Sequence, residues 1–198
     1  MPATARRTTY TYDQYIERER EEGVRYEWLR GEMWAMAGGT QRHSAVATNL
    51  TIELGVALRG RPCRVYNSDA KTRIDETDLS TYPDLSVICG PLQRSPVDRH
   101  AAVNPVVLIE VLSPGTERWD RGGKFRHYRF LESLQHYVLV DPNEPRIEVF
   151  TRGDDGTWVL RVYEAGDVVA LPAIDVTFDV DAIYADLPDE PGDDDPET

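Results

Sequence analysis

The run Pro105-Val106-Val107-Leu108-Ile109-Glu110-Val111-Leu112 is apolar at every position but one. A β-branched run without alternation is the pattern of a strand buried on both faces, in the middle of a sheet. Tyr82-Pro83-Asp84-Leu85-Ser86-Val87-Ile88 opens in the same way, with a proline near its start. Tyr137-Val138-Leu139-Val140 is a third run of this kind, stopped by Asp141-Pro142-Asn143. Residues 63–74 alternate loosely and read as one more strand. Helical spacing is plainest over 41–58, where Val46, Leu50, Leu54 and Leu58 recur every four residues behind a capping Thr40. Thr11 and Gln14 form a capping box for a polar helix that Gly23 ends. A further helix is predicted over 119–134, weakened by Gly122-Gly123, with Lys124, Tyr128 and Leu131 on one face. Hairpins are predicted over 26–36, turning at Arg30-Gly31, and over 147–164, turning at Gly153–Gly156. A short strand over 176–180 and a helical turn over 181–185 close the pattern. This order predicts one α/β domain over residues 1–186, a mixed β-sheet flanked by helices with added β-hairpins.

Composition changes the picture little. The 198 residues are 40% hydrophobic and 29% charged, values of an ordinary globular domain. No apolar run is long enough for a membrane span, and nothing near the N-terminus reads as a secretory signal. Cys63 and Cys89 form no close motif, which predicts free thiols and a reducing, cytoplasmic setting. The net charge of −13 argues against a general nucleic-acid coat, although residues 186–198 contribute much of it. Residues 187–198 read as a solvated, disordered acidic tail, with a nucleic-acid mimic over a basic cleft as the alternative. Lysine occurs only twice, at Lys71 and Lys124, in a chain otherwise rich in arginine.

The chemistry starts from Glu110. A carboxylate inside a buried strand must be protonated, paired or bound to a cation. Asp84, at the mouth of the neighbouring strand, can share that cation, since magnesium takes carboxylate, phosphate and water oxygens. Lys124 on the apolar side of its helix can orient or help deprotonate a water. Arg118, Arg121, Arg126 and Arg129 stand ready to hold phosphates. His43, in the first turn of its helix, reads as a core-edge histidine or as a phosphate or water contact. Zinc spacings, a nucleophile elbow and a phosphate-binding glycine loop are all absent. The plainer alternative is a structural Glu110–Lys124 ion pair, with Asp84 capping a turn.

Pro83-Asp84, then Ile109-Glu110-Val111-Leu112-Ser113-Pro114-Gly115-Thr116, then Asp120-Arg121-Gly122-Gly123-Lys124 and Tyr128 resemble the bacterial Uma-two family. Further points of likeness are Tyr26-Glu27, Gly31-Glu32, His43, the strand at Tyr137 and Ile183-Tyr184. That family belongs to the PD-(D/E)XK nuclease superfamily, so the resemblance implies a restriction-endonuclease-like core. It also implies a magnesium-dependent endonuclease acting on DNA, with manganese as a substitute, and a homodimer. By the same resemblance Asp84 and Glu110 are the metal carboxylates, with His43 and Glu27 as supporting groups. Leu112 stands where the superfamily motif has its lysine. Lys124 is the first substitute and Lys71 the second. The rival reading is a catalytically inactive nuclease fold used for binding or assembly.

Overall fold

The structure, a computed structural model, describes residues 9–36 and 38–189. Most of the expected acidic tail lies outside these residues. Helix α1 (Tyr12–Glu22) begins at the predicted capping box, where Thr11 accepts from the Gln14 N–H and Gln14 accepts from the Thr11 N–H. It ends at Gly23, whose φ of 65° suits a left-handed cap. Strands β1 (Tyr26–Leu29) and β2 (Glu32–Ala35) form the first hairpin. Its two turn residues, Arg30 and Gly31, both have positive φ, as a tight hairpin turn that follows the strand twist requires. Helix α2 (Gln41–Ala57) buries Val46, Leu50 and Leu54 on its predicted stripe.

The strand expected over 63–74 is two strands. β3 (Cys63–Asn67) and β4 (Thr72–Ile74) belong to different sheets. Between them Asn67 turns the chain, accepting the N–H groups of Asp69 on its side chain and of Ala70 on its carbonyl. Strands β5 (Leu79–Thr81), β6 (Leu85–Cys89) and β7 (Pro105–Val111) follow. The helix expected over 119–134 is also corrected. It comprises a π-helical turn, Trp119–Lys124, and one turn of α-helix, α3 (Phe125–Tyr128). Beyond Tyr128 the chain continues as short turns, with bonds such as Leu131 N–H to the Tyr128 carbonyl and Leu134 N–H to the Leu131 carbonyl. These bring Leu131 and Leu134 inward at a spacing that reads as helical. Strands β8 (His136–Val140), β9 (Arg146–Arg152), β10 (Trp158–Glu164), β11 (Val168–Leu171) and β12 (Val176–Asp179) lead to α4 (Val180–Ile183).

The main sheet has the order β10-β9-β8-β7-β6-β3, and only β7 and β8 are parallel neighbours. The crossover between them carries the π-helical turn and α3. The mixed sheet expected from the sequence is therefore present, with β7 in its interior. On one face α2, α4 and β12 pack over Ile109, Val138 and Val149. On the other, Leu108, Tyr137 and Leu139 meet Tyr128 and the residues Ile74 and Leu79 of a second sheet, ordered β2-β1-β5-β4. That second sheet, rather than a long helix, covers much of this face.

Cys63 and Cys89 are not free thiols. The β3–β6 register sets them opposite each other, and they form a disulfide. Their 26-residue separation hides a proximity that only strand pairing creates. At the C-terminal end Leu187 packs on the core, and the Pro188 carbonyl accepts from Arg42 Nη1 at 3.0 Å. Among the described residues, no helix is long and apolar enough to cross a membrane.

Candidate functional site

Strand β7 alternates its side chains, so Leu108, Glu110 and Leu112 share the face that meets the second sheet. Glu110 is thereby sunk into an apolar layer, with 3% of its surface exposed. Tyr128 of α3 donates its hydroxyl to Glu110 Oε1 at 2.8 Å. Lys124 Nζ lies 3.1 Å from the same oxygen and 3.1 Å from Glu27 Oε1 of β1. It is also 2.9 Å from Asp120 Oδ1, and all three contacts are ion pairs by distance. One ammonium therefore faces three carboxylates, all of them buried.

Asp84 precedes β6. The β6–β7 register pairs Leu85 with Ile109, and carried one step further it sets Asp84 across from Glu110. Asp84 Oδ2 accepts the Val111 backbone N–H at 2.8 Å and lies 3.3 Å from His43 Nε2 at the start of α2. These two side chains form the wetter rim of the cluster, at 19% and 16% exposure.

The electrostatics follow from this crowding. Burial pushes the Glu110 carboxyl up. Lys124 opposes that, but Asp120, Asp84 and Glu27 push the same way as burial, and the result is well above the ordinary carboxylate range. Burial disfavours the charged form of Lys124, yet Glu110, Glu27 and Asp120 outweigh it and hold the amine firmly protonated. His43 is likewise disfavoured as a cation by burial, but its bond to Asp84, the Asp84 charge, the Val111 backbone and Asp120 raise it overall.

Counting acceptors separates the roles. An ionised carboxylate offers about four lone-pair positions. Glu27 has both oxygens engaged, Oε1 by the Thr81 hydroxyl and the Lys124 ammonium, and Oε2 by Trp34 Nε1 and Trp119 Nε1. Glu110 uses only Oε1 and Asp84 only Oδ2. The second oxygen of each accepts nothing from the described residues. These open atoms are hard donors of the kind magnesium prefers. Among the described residues, no group of three His, Cys, Asp or Glu side chains is arranged to hold an ion.

The structure thus brings Glu110, Lys124 and Glu27 into one cluster, with Asp84 and His43 at its edge. Lys71, the second substitute for the motif lysine, is elsewhere, bound to Glu19 and Asp98. Of the arginines expected to hold phosphates, Arg121 is engaged by Glu117 and Glu148, and Arg129 lies over the Phe125 ring. Asp120 has no role in the sequence reading; its signal was the four-residue spacing to Lys124. The hairpin turning at Arg30-Gly31 already sets Trp34 across from Glu27, whereas Trp119, 92 residues away, left no signal.

Comparison with known proteins agrees with this architecture. The Uma2 family model, described as "Putative restriction endonuclease", matches residues 12–181. An uncharacterized protein, slr1290, of Synechocystis sp. is 39% identical over 176 residues, covering 89% of this chain and 90% of its own. A second from that organism, sll1609, is 29% identical over 160 residues, covering 81% of this chain and 90% of its own. A crystal structure described as a "putative nuclease belonging to DUF820" from Anabaena variabilis superposes with a TM-score of 0.73 at 19% identity. The match covers 89% of this chain and 98% of that one, a likeness of fold. A family match spanning most of the chain, joined to a nuclease-like fold, makes this protein a member of the Uma2 family.

Proposed function

We propose that this protein is a divalent-cation-dependent endonuclease that hydrolyses DNA phosphodiester bonds. The carrying observation is the pair of open carboxylate oxygens, on Asp84 and Glu110, set across adjoining strands beside a protonated lysine. Their chemistry fits magnesium or manganese, and the excess of carboxylates over Lys124 leaves negative charge for a cation to balance. When bound, such an ion neutralises phosphate charge and favours attack by water. Asp84 and Glu110 are its ligands in this reading. Lys124 remains protonated, so it orients water and stabilises developing negative charge instead of taking a proton. His43 holds the outer side of Asp84. Glu27 touches no open coordination position and supports Lys124. Arg118 and Arg126, both exposed, are the arginines left for flanking phosphates. A homodimer belongs to the same proposal and rests on the family resemblance.

The rival, a nuclease fold retained for binding, is favoured by one observation: Lys124 is buried and wholly occupied by carboxylates. The deciding experiment incubates supercoiled and linear DNA, and RNA, with the protein in magnesium, manganese or chelator. Cation-dependent cleavage is expected, falling at least about a hundredfold in Asp84→Asn and Glu110→Gln. A wild-type protein that binds neither cation and cuts neither nucleic acid ends the nuclease reading and leaves the binding module. Cleavage of RNA alone would move the substrate class.

A further inference from the structure

Glu27 is held by an arrangement that the rest of the fold does not require. Trp34 is its direct cross-strand partner in the β1–β2 hairpin and donates Nε1 to Oε2 at 3.0 Å. Trp119 donates Nε1 to the same oxygen at 3.1 Å from 92 residues away. Trp119 and Lys124 are five apart, which in an α-helix would set them about 140° apart around the axis. The π-helical turn has i→i+5 closure and brings both to one side. It also needs Gly123. A Cβ there would lie 1.8 Å from Trp119 Cε3, so any larger residue must drive the indole off its seat. Gly123, the π-helical turn and the two tryptophans all serve the placement of one carboxylate.

Lys124 is shared at 3.1 Å between Glu27 and Glu110. Glu110 has an oxygen to offer a cation, and Glu27 has none. We propose that Glu27 is a positioning residue that retains the Lys124 ammonium when Glu110 turns to a cation, and that Trp34, Trp119 and Gly123 aim it. The inference rests on the reading of Asp84 and Glu110 as cation ligands. The ammonium of Lys124 then stays in place, and the side of it that Glu110 leaves becomes available at the site of hydrolysis. Without the clamp, Glu27 is free to swing, and the ammonium moves with it.

The chain has two lysines, so lysine labelled with ¹⁵N at Nζ gives one ammonium signal for each. Lys71→Arg assigns them. In the wild-type protein, magnesium is expected to shift the Lys124 signal while leaving it protected from exchange. In Glu27→Gln, Trp119→Phe and Gly123→Ala the signal is expected to broaden or vanish once magnesium is added. Manganese affinity, measured calorimetrically, should change by less than about twofold. Cleavage should lose kcat by about a hundredfold with KM for DNA unchanged, as a displaced catalytic group predicts. Urea unfolding of each variant separates folding loss from this effect. If the variants keep both the protected signal and kcat, the clamp is only structural and the proposal fails. If Glu27→Gln weakens manganese binding tenfold or more, Glu27 is itself a ligand and the proposal also fails. If magnesium shifts no signal in the wild-type protein, the reading of Asp84 and Glu110 fails first, and this inference falls with it.

Discussion

Both lysines are buried among carboxylates, and the two clusters have opposite outcomes. Lys71 Nζ lies 2.7 Å from Glu19 Oε2 and 3.1 Å from Asp98 Oδ2, over the rings of Tyr15 and Tyr82. Every carboxylate oxygen there has a donor. Glu19 Oε1 accepts the Tyr26 N–H and the Tyr82 hydroxyl, Asp98 Oδ2 accepts the Tyr12 hydroxyl, and Asp98 Oδ1 accepts the His100 N–H. Burial alone would raise Asp98. The His100 N–H, Lys71 and Tyr12 outweigh it, and its pKa falls below the ordinary value. Around Lys124 a third carboxylate is added, Asp84, Glu110 and Asp120 are left with oxygens that accept no hydrogen bond, and Glu110 is raised. A completed network holds a fold together. An incomplete one with surplus negative charge is where a cation has something to do.

Removing each lysine should break the comparison most visibly. Lys71→Met is expected to cost about 3–5 kcal/mol in urea unfolding, because Glu19 and Asp98 lose their counter-charge. Cleavage per folded molecule should be unchanged. Lys124→Met should reduce cleavage at least about a hundredfold while a divalent cation still binds. Equal loss of stability with cleavage intact in both would reduce Lys124 to a second structural tie.

How much of this was legible in the sequence depended on range. The α2 stripe, the buried β7 run and the Arg30-Gly31 hairpin are local patterns, and each appears where expected. Lys124 was placed on the apolar side beside Tyr128, and both do reach Glu110. The π-helical turn was not legible: it accompanies the packing of the Trp119 ring on Gly123 and a bond from that indole to a carboxylate 92 residues away, neither of which a local pattern shows. Leu131 and Leu134 mimicked helical spacing while lying in turns. Lys71, on the strand expected over 63–74, stands as the second substitute for the motif lysine on sequence alone, and only its partners from α1 and the loop after β6 set it apart. The cysteine pair needed a strand register.

A divalent cation should sharpen the contrast next. A ligand at a hundred times its Kd stabilises the folded state by about 2.7 kcal/mol. Magnesium or manganese is therefore expected to raise the thermal midpoint of the wild-type protein and of Asp98→Asn. Asp84→Asn should abolish the rise. A rise that survives Asp84→Asn would place the ion elsewhere.

The smallest expected effect is in the pH profile of stability, measured in chelator. Glu110 is raised on folding, so its contribution is present below its ordinary value of 4.5 and lost as pH rises through the folded one. Asp98 is lowered, so its contribution is present above its ordinary value of 3.8 and lost as pH falls through the folded one. Glu110→Gln should flatten the alkaline side of the profile, and Asp98→Asn the acid side. Exchange of those two outcomes would mean that the roles of the clusters are reversed.

The Trp119–Glu27 bond closes a span of 92 residues, and Thr81 reaches Glu27 across 54. Contacts so far apart in the chain return nothing until the intervening loops have closed. Both sheets and the crossover must be in place before Glu27 joins the Lys124 ammonium, so completion of the cluster is expected late in folding. Changes confined to it should then leave the refolding rate nearly alone and appear as faster unfolding. The chain completes its architecture first and only afterwards commits its charges to the interior.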